Sequence, residues 1–315
     1  MVDFMINLVL VLCLCSFNLY AYKKHQLYVF LQLIFCMGTN SSQKVAVVTG
    51  SSSGIGFETS LVLARNNFHT YATMRNPEKG TKIRAVKSAE NLPIEIIQLD
   101  VTSDESVSHA IESILSESGT INVLVNNAGY GLVGAFEELG MDEIKQQYET
   151  NFFGVIRVTQ AVIPIMKEQK SGIIVNISSG AGRFGYPGGS AYVSTKFALE
   201  GLSESMAYEL DRFGIKVALV EPGFVRTNFS NVIAKRSQEP NSEYSKMMEI
   251  MAIRIEDMRK NSSSPELVAN TVLEAVTSKN PNLRYLAGKD VEQWIRQKKK
   301  LSDQEFFNMI KESML

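Results

Sequence analysis

From Lys44 onward, short apolar runs rich in β-branched residues alternate with longer amphipathic stretches, and this alternation leaves the chain few folds to choose from. Strand-like runs fall at residues 45–49, 70–74, 94–99, 121–125, 173–177 and 215–220, with helical patterns between them, the first over residues 55–65. Apolar runs without polar alternation suit strands covered on both faces. Strands separated by helices predict a parallel sheet with right-handed crossovers.

Composition narrows the function classes. The 315 residues carry a net charge of −1 and are 45% hydrophobic, which suits one large globular domain and argues against a disordered chain or a nucleic-acid partner. The one basic run, Lys298, Lys299 and Lys300, reads as a solvated patch. Cys13, Cys15 and Cys36 all precede the α/β region, which therefore has neither a disulfide nor a thiolate nucleophile. With only His25, His69 and His109 in the chain, no metal centre is expected.

Residues 1–37 differ from the rest. Residues 4–22 are apolar and nearly uncharged, close to the roughly 20 residues that span a bilayer, and Lys23 and Lys24 follow. If the segment spans, those lysines leave the following domain on the cytoplasmic side. Alternatively, translation starts at Met37, just before the polar residues 38–43. Both readings stand, a membrane anchor or an upstream start, ahead of one domain over residues 44–315.

Chemistry is concentrated at two places. Thr49-Gly50-Ser51-Ser52-Ser53-Gly54-Ile55-Gly56 follows the first strand and opens a helix. There, glycines let the backbone turn sharply and bring helix N-terminal amides to a pyrophosphate. Further on, Tyr192 and Lys196 share one helix face, with Ser179 thirteen residues upstream of the tyrosine. A cation beside a phenol favours the phenolate and so makes the tyrosine a better base.

Together with Asn126-Asn127-Ala128-Gly129, Asn151 and Pro222-Gly223, these motifs resemble, in order and spacing, the classical short-chain dehydrogenases/reductases over residues 44–228. The run from Arg284 to Asp290 resembles retinol and 17β-hydroxysteroid dehydrogenase-like members. The resemblance implies an α/β fold, a single Rossmann-type doubly wound parallel sheet of about seven strands with helices on both faces. It also implies hydride transfer between a nicotinamide and a carbonyl or secondary alcohol.

In that scheme Tyr192 is the acid/base, Lys196 lowers its pKa and binds the nicotinamide ribose, and Ser179 holds the substrate oxygen. Asn151 places a water on the way from Lys196 to solvent. Cofactor contacts are implied for Gly50, Ser52, Ser53, Gly54, Ile55 and Gly56 in the first turn, and for Asp100 and Val101 after the third strand. They are implied too for Asn127, Ala128 and Gly129, for Tyr192 and Lys196, and for Pro222, Gly223, Val225 and Thr227. After the second strand the chain places Arg75 where an acid would bind a ribose diol, so NADP(H) is favoured, with NAD(H) the alternative.

Residues 224–264, with Met247, Met248, Met251 and Met258, match the family's substrate lid and point to a lipophilic alcohol or ketone; helices are expected over about 265–315. Helices over about 142–168 and 191–213 match the family's pairing surfaces, implying a homodimer or homotetramer. Two other functions fit the same motifs: a non-catalytic NADP(H)-binding regulator, and a membrane-attached lipid or ketoacyl reductase.

Overall fold

The pleat of the first strand decides how the layers form in the computed structural model, which describes residues 43–227, 229, 234–235, 243–260 and 262–315. In β1 (Lys44–Val48), Val45 and Val47 join one hydrophobic cluster while Ala46 and Val48 join another. Successive side chains point to opposite faces, so a strand apolar at every position must be covered on both. Helices do this on each side.

The elements follow in order: α1 (Gly54–Arg65), β2 (Phe68–Met74), α2 (Thr81–Glu90), β3 (Ile94–Gln98), α3 (Asp104–Ser118) and β4 (Val123–Asn126). Next come α4 (Met141–Tyr148), α5 (Gly154–Gln169), β5 (Gly172–Ile177), α6 (Ser190–Asp211) and β6 (Ile215–Pro222). The chain continues through α7 (Ser245–Lys260), α8 (Pro265–Thr277), β7 (Arg284–Ala287), α9 (Lys289–Lys300) and α10 (Asp303–Met314).

The seven strands form one parallel sheet in the order β3-β2-β1-β4-β5-β6-β7. The α/β doubly wound sheet expected from the sequence is the one found. On one face α3, α5 and α6 contribute Ile111, Val162 and Met206 to the core; on the other, α1 and α8 contribute Leu63 and Val272. Each large apolar side chain so buried stabilises the fold by about 1.5–3 kcal/mol. Residues Lys44–Leu315 form one compact unit.

Two boundaries differ from the sequence pattern. The fourth strand runs from Val123; at its entry Asn122 N donates to Val45 O and Asn122 O accepts from Ile173 N, both at 2.9 Å, while side chains add to the ladder, Val45 N donating to Asn122 Oδ1 at 2.8 Å and Ile121 N to Gln169 Oε1 at 3.0 Å. The helix expected over residues 142–168 is broken by a π turn at Glu149–Phe153, which separates α4 from α5. Such turns are favoured where tertiary contacts hold one inserted residue, and Asn151 is that kind of residue.

The lid expected over residues 224–264 is described in part. Its helix α7 buries Met251 against Phe306, Ile310 and Met314 of α10. Among the described residues, no helix is long and apolar enough to cross a membrane. The candidate anchor at residues 4–22 lies outside them.

Candidate active site

Four neighbouring strands, β1, β4, β5 and β6, end side by side, so the turns leaving them meet above one edge of the sheet. The first turn is held from β4. Thr49 Oγ1 accepts from the backbone N–H of Asn127 at 2.9 Å and of Ala128 at 3.0 Å. In return, Asn127 Nδ2 donates to the carbonyls of Thr49 and Gly50 at 2.8 and 3.2 Å.

Glycine is required at two positions of this turn. Gly50 has φ of +69°, and a Cβ there would stand 2.8 Å from Ala128 Cα; at Gly56 a Cβ would lie 2.4 Å from Asn127 Nδ2. Gly54 rests against Thr227, which brings the loop after β6 onto the start of α1. Exposed Ser53 is the N-cap but makes no side-chain cap bond, and the first turn of α1 has no acid. Half-buried Ser52 and Ile55 flank it. An uncapped helix start with open amides, shaped by glycines, fits a pyrophosphate.

Arg75, Asp100 and Val101 stand at the ends of β2 and β3, separated from the tyrosine by β1 and β4. Arg75 is exposed, and its charge favours the Tyr130 phenolate against the burial that raises that phenol's pKa. Asp100 Oδ1 accepts from Thr102 N at 3.0 Å and Thr102 Oγ1 at 2.8 Å, while Ser103 caps α3 through Ser106 N. Val101 is buried, packed against Gly154.

Ser179, Tyr192, Lys196 and Asn151 converge at the same edge of the sheet, on the other side of β4 from Arg75 and Asp100. Asn151 is buried, and its amide is occupied: Oδ1 accepts from Tyr130 N at 3.0 Å, and Nδ2 donates to Tyr130 O at 2.8 Å and Thr195 Oγ1 at 3.4 Å. Gly129 lies directly against Asn151 Oδ1. The side chain therefore ties the segment after β4 to helix α6.

Lys196 is buried on α6, and its Nζ donates to Ile177 O at 2.8 Å, 5.7 Å from the Tyr192 ring centroid. Burial pulls the ammonium down to about 8, and the Glu200 carboxylate one helical turn along opposes that fall. Tyr192 is half-buried and meets Phe229 edge to face at 5.8 Å. Burial pushes its phenol up to about 12, against a hydrogen bond with Ser179 that lowers it. Desolvation is thus the larger influence on the phenol, and the Ser179 hydrogen bond the smaller one.

Ser179 Oγ also accepts from Ala181 N at 3.1 Å and reaches Pro222 O at 3.5 Å, which places β5 and β6 on either side of the hydroxyl. Beyond Pro222, Gly223 packs against Asp290, and Asp290 Oδ2 accepts from Phe224 N at 2.7 Å. Val225 bridges to Ser263. Thus α9 anchors the loop that carries Val225 and Thr227.

Three contributors escaped the sequence reading: Thr49 as the clamp, Asp290 as the loop anchor and Glu200 beside Lys196. Only Glu200 left a signal. It lies four residues after Lys196, on the same helix face.

The short chain dehydrogenase family model matches residues 44–238. The chain is 38% identical over 256 residues to an uncharacterized oxidoreductase of Bacillus subtilis, covering 79% of this chain and 91% of that protein. It is 36% identical to a 3-ketodihydrosphingosine reductase of Bacteroides thetaiotaomicron, with 78% and 88% covered. It is 37% identical to retinol dehydrogenase 8 of Bos taurus, with 76% and 80% covered.

Among solved structures, a short-chain dehydrogenase from Streptomyces avermitilis superposes with a TM-score of 0.75 at 34% identity, covering 87% of this chain and 98% of that one. An alcohol dehydrogenase from Thermococcus sibiricus complexed with 5-hydroxy-NADP superposes with a TM-score of 0.65 at 26% identity, with 77% and 95% covered. The order of motifs, the sheet and these relatives agree, and the chain belongs to the short-chain dehydrogenase family of oxidoreductases.

Proposed function

We propose that the protein is an NADP(H)-dependent oxidoreductase that interconverts a carbonyl and a secondary alcohol on a lipophilic substrate, with Tyr192 as the acid/base. The observation that carries this reading is the convergence of Ser179, Tyr192 and Lys196, with the phenol protonated. The nicotinamide, when bound, supplies or accepts the hydride.

In reduction the Tyr192 hydroxyl gives its proton to the carbonyl oxygen, and in oxidation the phenolate takes it back. Ser179 Oγ donates a hydrogen bond to the same oxygen and keeps it in line with Tyr192. The Lys196 ammonium, seated on the Ile177 carbonyl, stabilises the phenolate left after proton transfer. Gly50, Gly54 and Gly56 leave room for the pyrophosphate at the start of α1.

Arg75 supports NADP(H) over NAD(H), because a guanidinium pairs with a 2'-phosphate and no acid follows β2. The structure of the alcohol dehydrogenase with 5-hydroxy-NADP is in keeping with that choice. An apolar substrate is supported by Phe229 against Tyr192 and by the sulfurs of Met248 and Met251 close to Gly188. The relatives named for 3-ketodihydrosphingosine and for retinol act on molecules of this kind. Exposed Phe153, Phe197 and Tyr208 on and beside α5 and α6 support pairing of two or four copies through those helices.

The test is Tyr192→Phe, assayed for NADPH oxidation with apolar ketones of increasing size. Turnover should fall by about 100-fold or more while NADPH binding persists; retained turnover would refute the assignment.

A further inference from the structure

One face of α6 carries Tyr192, Lys196, Glu200 and Glu204 at intervals of four residues, and below the catalytic pair this row enters a cluster of charges. Glu200 is buried; its Oε1 accepts from Ser178 Oγ at 2.5 Å and its Oε2 from Arg284 Nε at 2.9 Å. Arg284, on the last strand, also donates to Glu204 Oε2 at 2.7 Å and lies 3.3 Å from Glu221 Oε1. Arg183 donates to Glu221 Oε1 at 2.9 Å.

Two guanidiniums therefore face three carboxylates. Burial and the neighbouring Glu200 raise the Glu221 pKa and Glu204 is partly exposed, so the buried negative charge one turn along α6 from the Lys196 ammonium is that of Glu200. Backbone geometry links the two sites: Lys196 sits on the carbonyl of Ile177, and Glu200 holds the hydroxyl of the next residue, Ser178, which precedes Ser179.

We propose that Glu200 is a positioning residue for the reaction, the counter-charge that keeps the Lys196 ammonium charged, and that Arg183 and Arg284 set how much negative charge it presents. The inference rests on the catalytic reading of Lys196 for its consequence, though not for its test. Groups facing the pair are Tyr192 and Glu204 on α6, Arg183 after β5, Glu221 on β6 and Arg284 on β7. Burial works against the ammonium, and Glu200 is the charge that opposes it.

The experiment follows the Lys196 Cε resonance by NMR in the full-length protein with 13C-labelled lysine, without substrate, and assigns it by its loss in Lys196→Met. In the unsubstituted protein it should titrate near 8. Glu200→Gln should move the midpoint down by about one unit or more, whereas Arg183→Gln and Arg284→Gln should move it up. Shifts of opposite sign are what charge balance requires and what general loosening does not produce. An unmoved midpoint in Glu200→Gln, or the same direction in all three, overturns the proposal.

If Glu200→Gln does not fold, Arg183→Gln, whose side chain is 31% exposed, decides by sign alone: a rise supports the proposal, and a fall or no change overturns it. Should Tyr192→Phe retain turnover while these shifts appear, the catalytic reading falls and the charge network stands. The converse result separates them equally.

Discussion

Asn151 grips the backbone of Tyr130 with both ends of its side-chain amide, accepting from the N–H at 3.0 Å and donating to the carbonyl at 2.8 Å. The π turn that interrupts the long helix presents Asn151 to this partner, and the same Nδ2 reaches Thr195 on α6, next to Lys196.

Asn151→Ala leaves the Tyr130 N–H without its partner, although Gln147 Nε2 still serves the Tyr130 carbonyl. Stability should fall by about 1–3 kcal/mol, read from equilibrium denaturant unfolding. An unchanged midpoint would show that the clamp contributes nothing to the fold.

Thr49→Val keeps the shape of the side chain but removes the acceptor for two backbone amides, those of Asn127 and Ala128. The loss should be about 2 kcal/mol or more. NADPH should also bind more weakly, because the turn rests on that segment. Thr49→Ser, which keeps the hydroxyl, should lose only about 1 kcal/mol. Thermal unfolding and fluorescence titration with NADPH check both variants; equal behaviour of the two would count against the clamp.

Arg75→Asp places an acid where the guanidinium stands and should reverse the cofactor preference. One charge-assisted hydrogen bond is worth about 1.5–3 kcal/mol, so affinity for NADPH relative to NADH should change by roughly 10- to 100-fold. The ratio of dissociation constants measures it. No change in that ratio would remove Arg75 from the 2'-phosphate site.

pH should act through Lys196 before Tyr192. With the ammonium pulled down to about 8 and the phenol pushed up to about 12, kcat/KM for carbonyl reduction should decline as pH rises through about 8. The same shift has the opposite effect on folding. Between the folded value and the ordinary value of about 10.4, the unfolded chain binds the proton and the folded chain does not, so this group's contribution to stability rises with pH there. A kcat/KM profile flat to pH 10 would show that the reaction does not need the ammonium.

Much of this organisation was legible in the chain because it depends on short-range rules. β-branched apolar runs must be covered on both faces, which determined the parallel sheet, and a glycine-rich turn between strand and helix determined where β1 hands over to α1. The spacing of Tyr192 and Lys196 alone placed them on one helix face.

Other features depended on partners far away in sequence. The break in the helix at Asn151 arises from Tyr130 and Thr195, the turn after β1 is clamped from β4, and the loop carrying Thr227 is anchored by Asp290 on α9. Tertiary packing also decided the charge states. A lysine beside a tyrosine suggested an acidified phenol, whereas burial pushes the phenol up and the ammonium down, because desolvation depends on everything packed around a group and not on its neighbours along the helix.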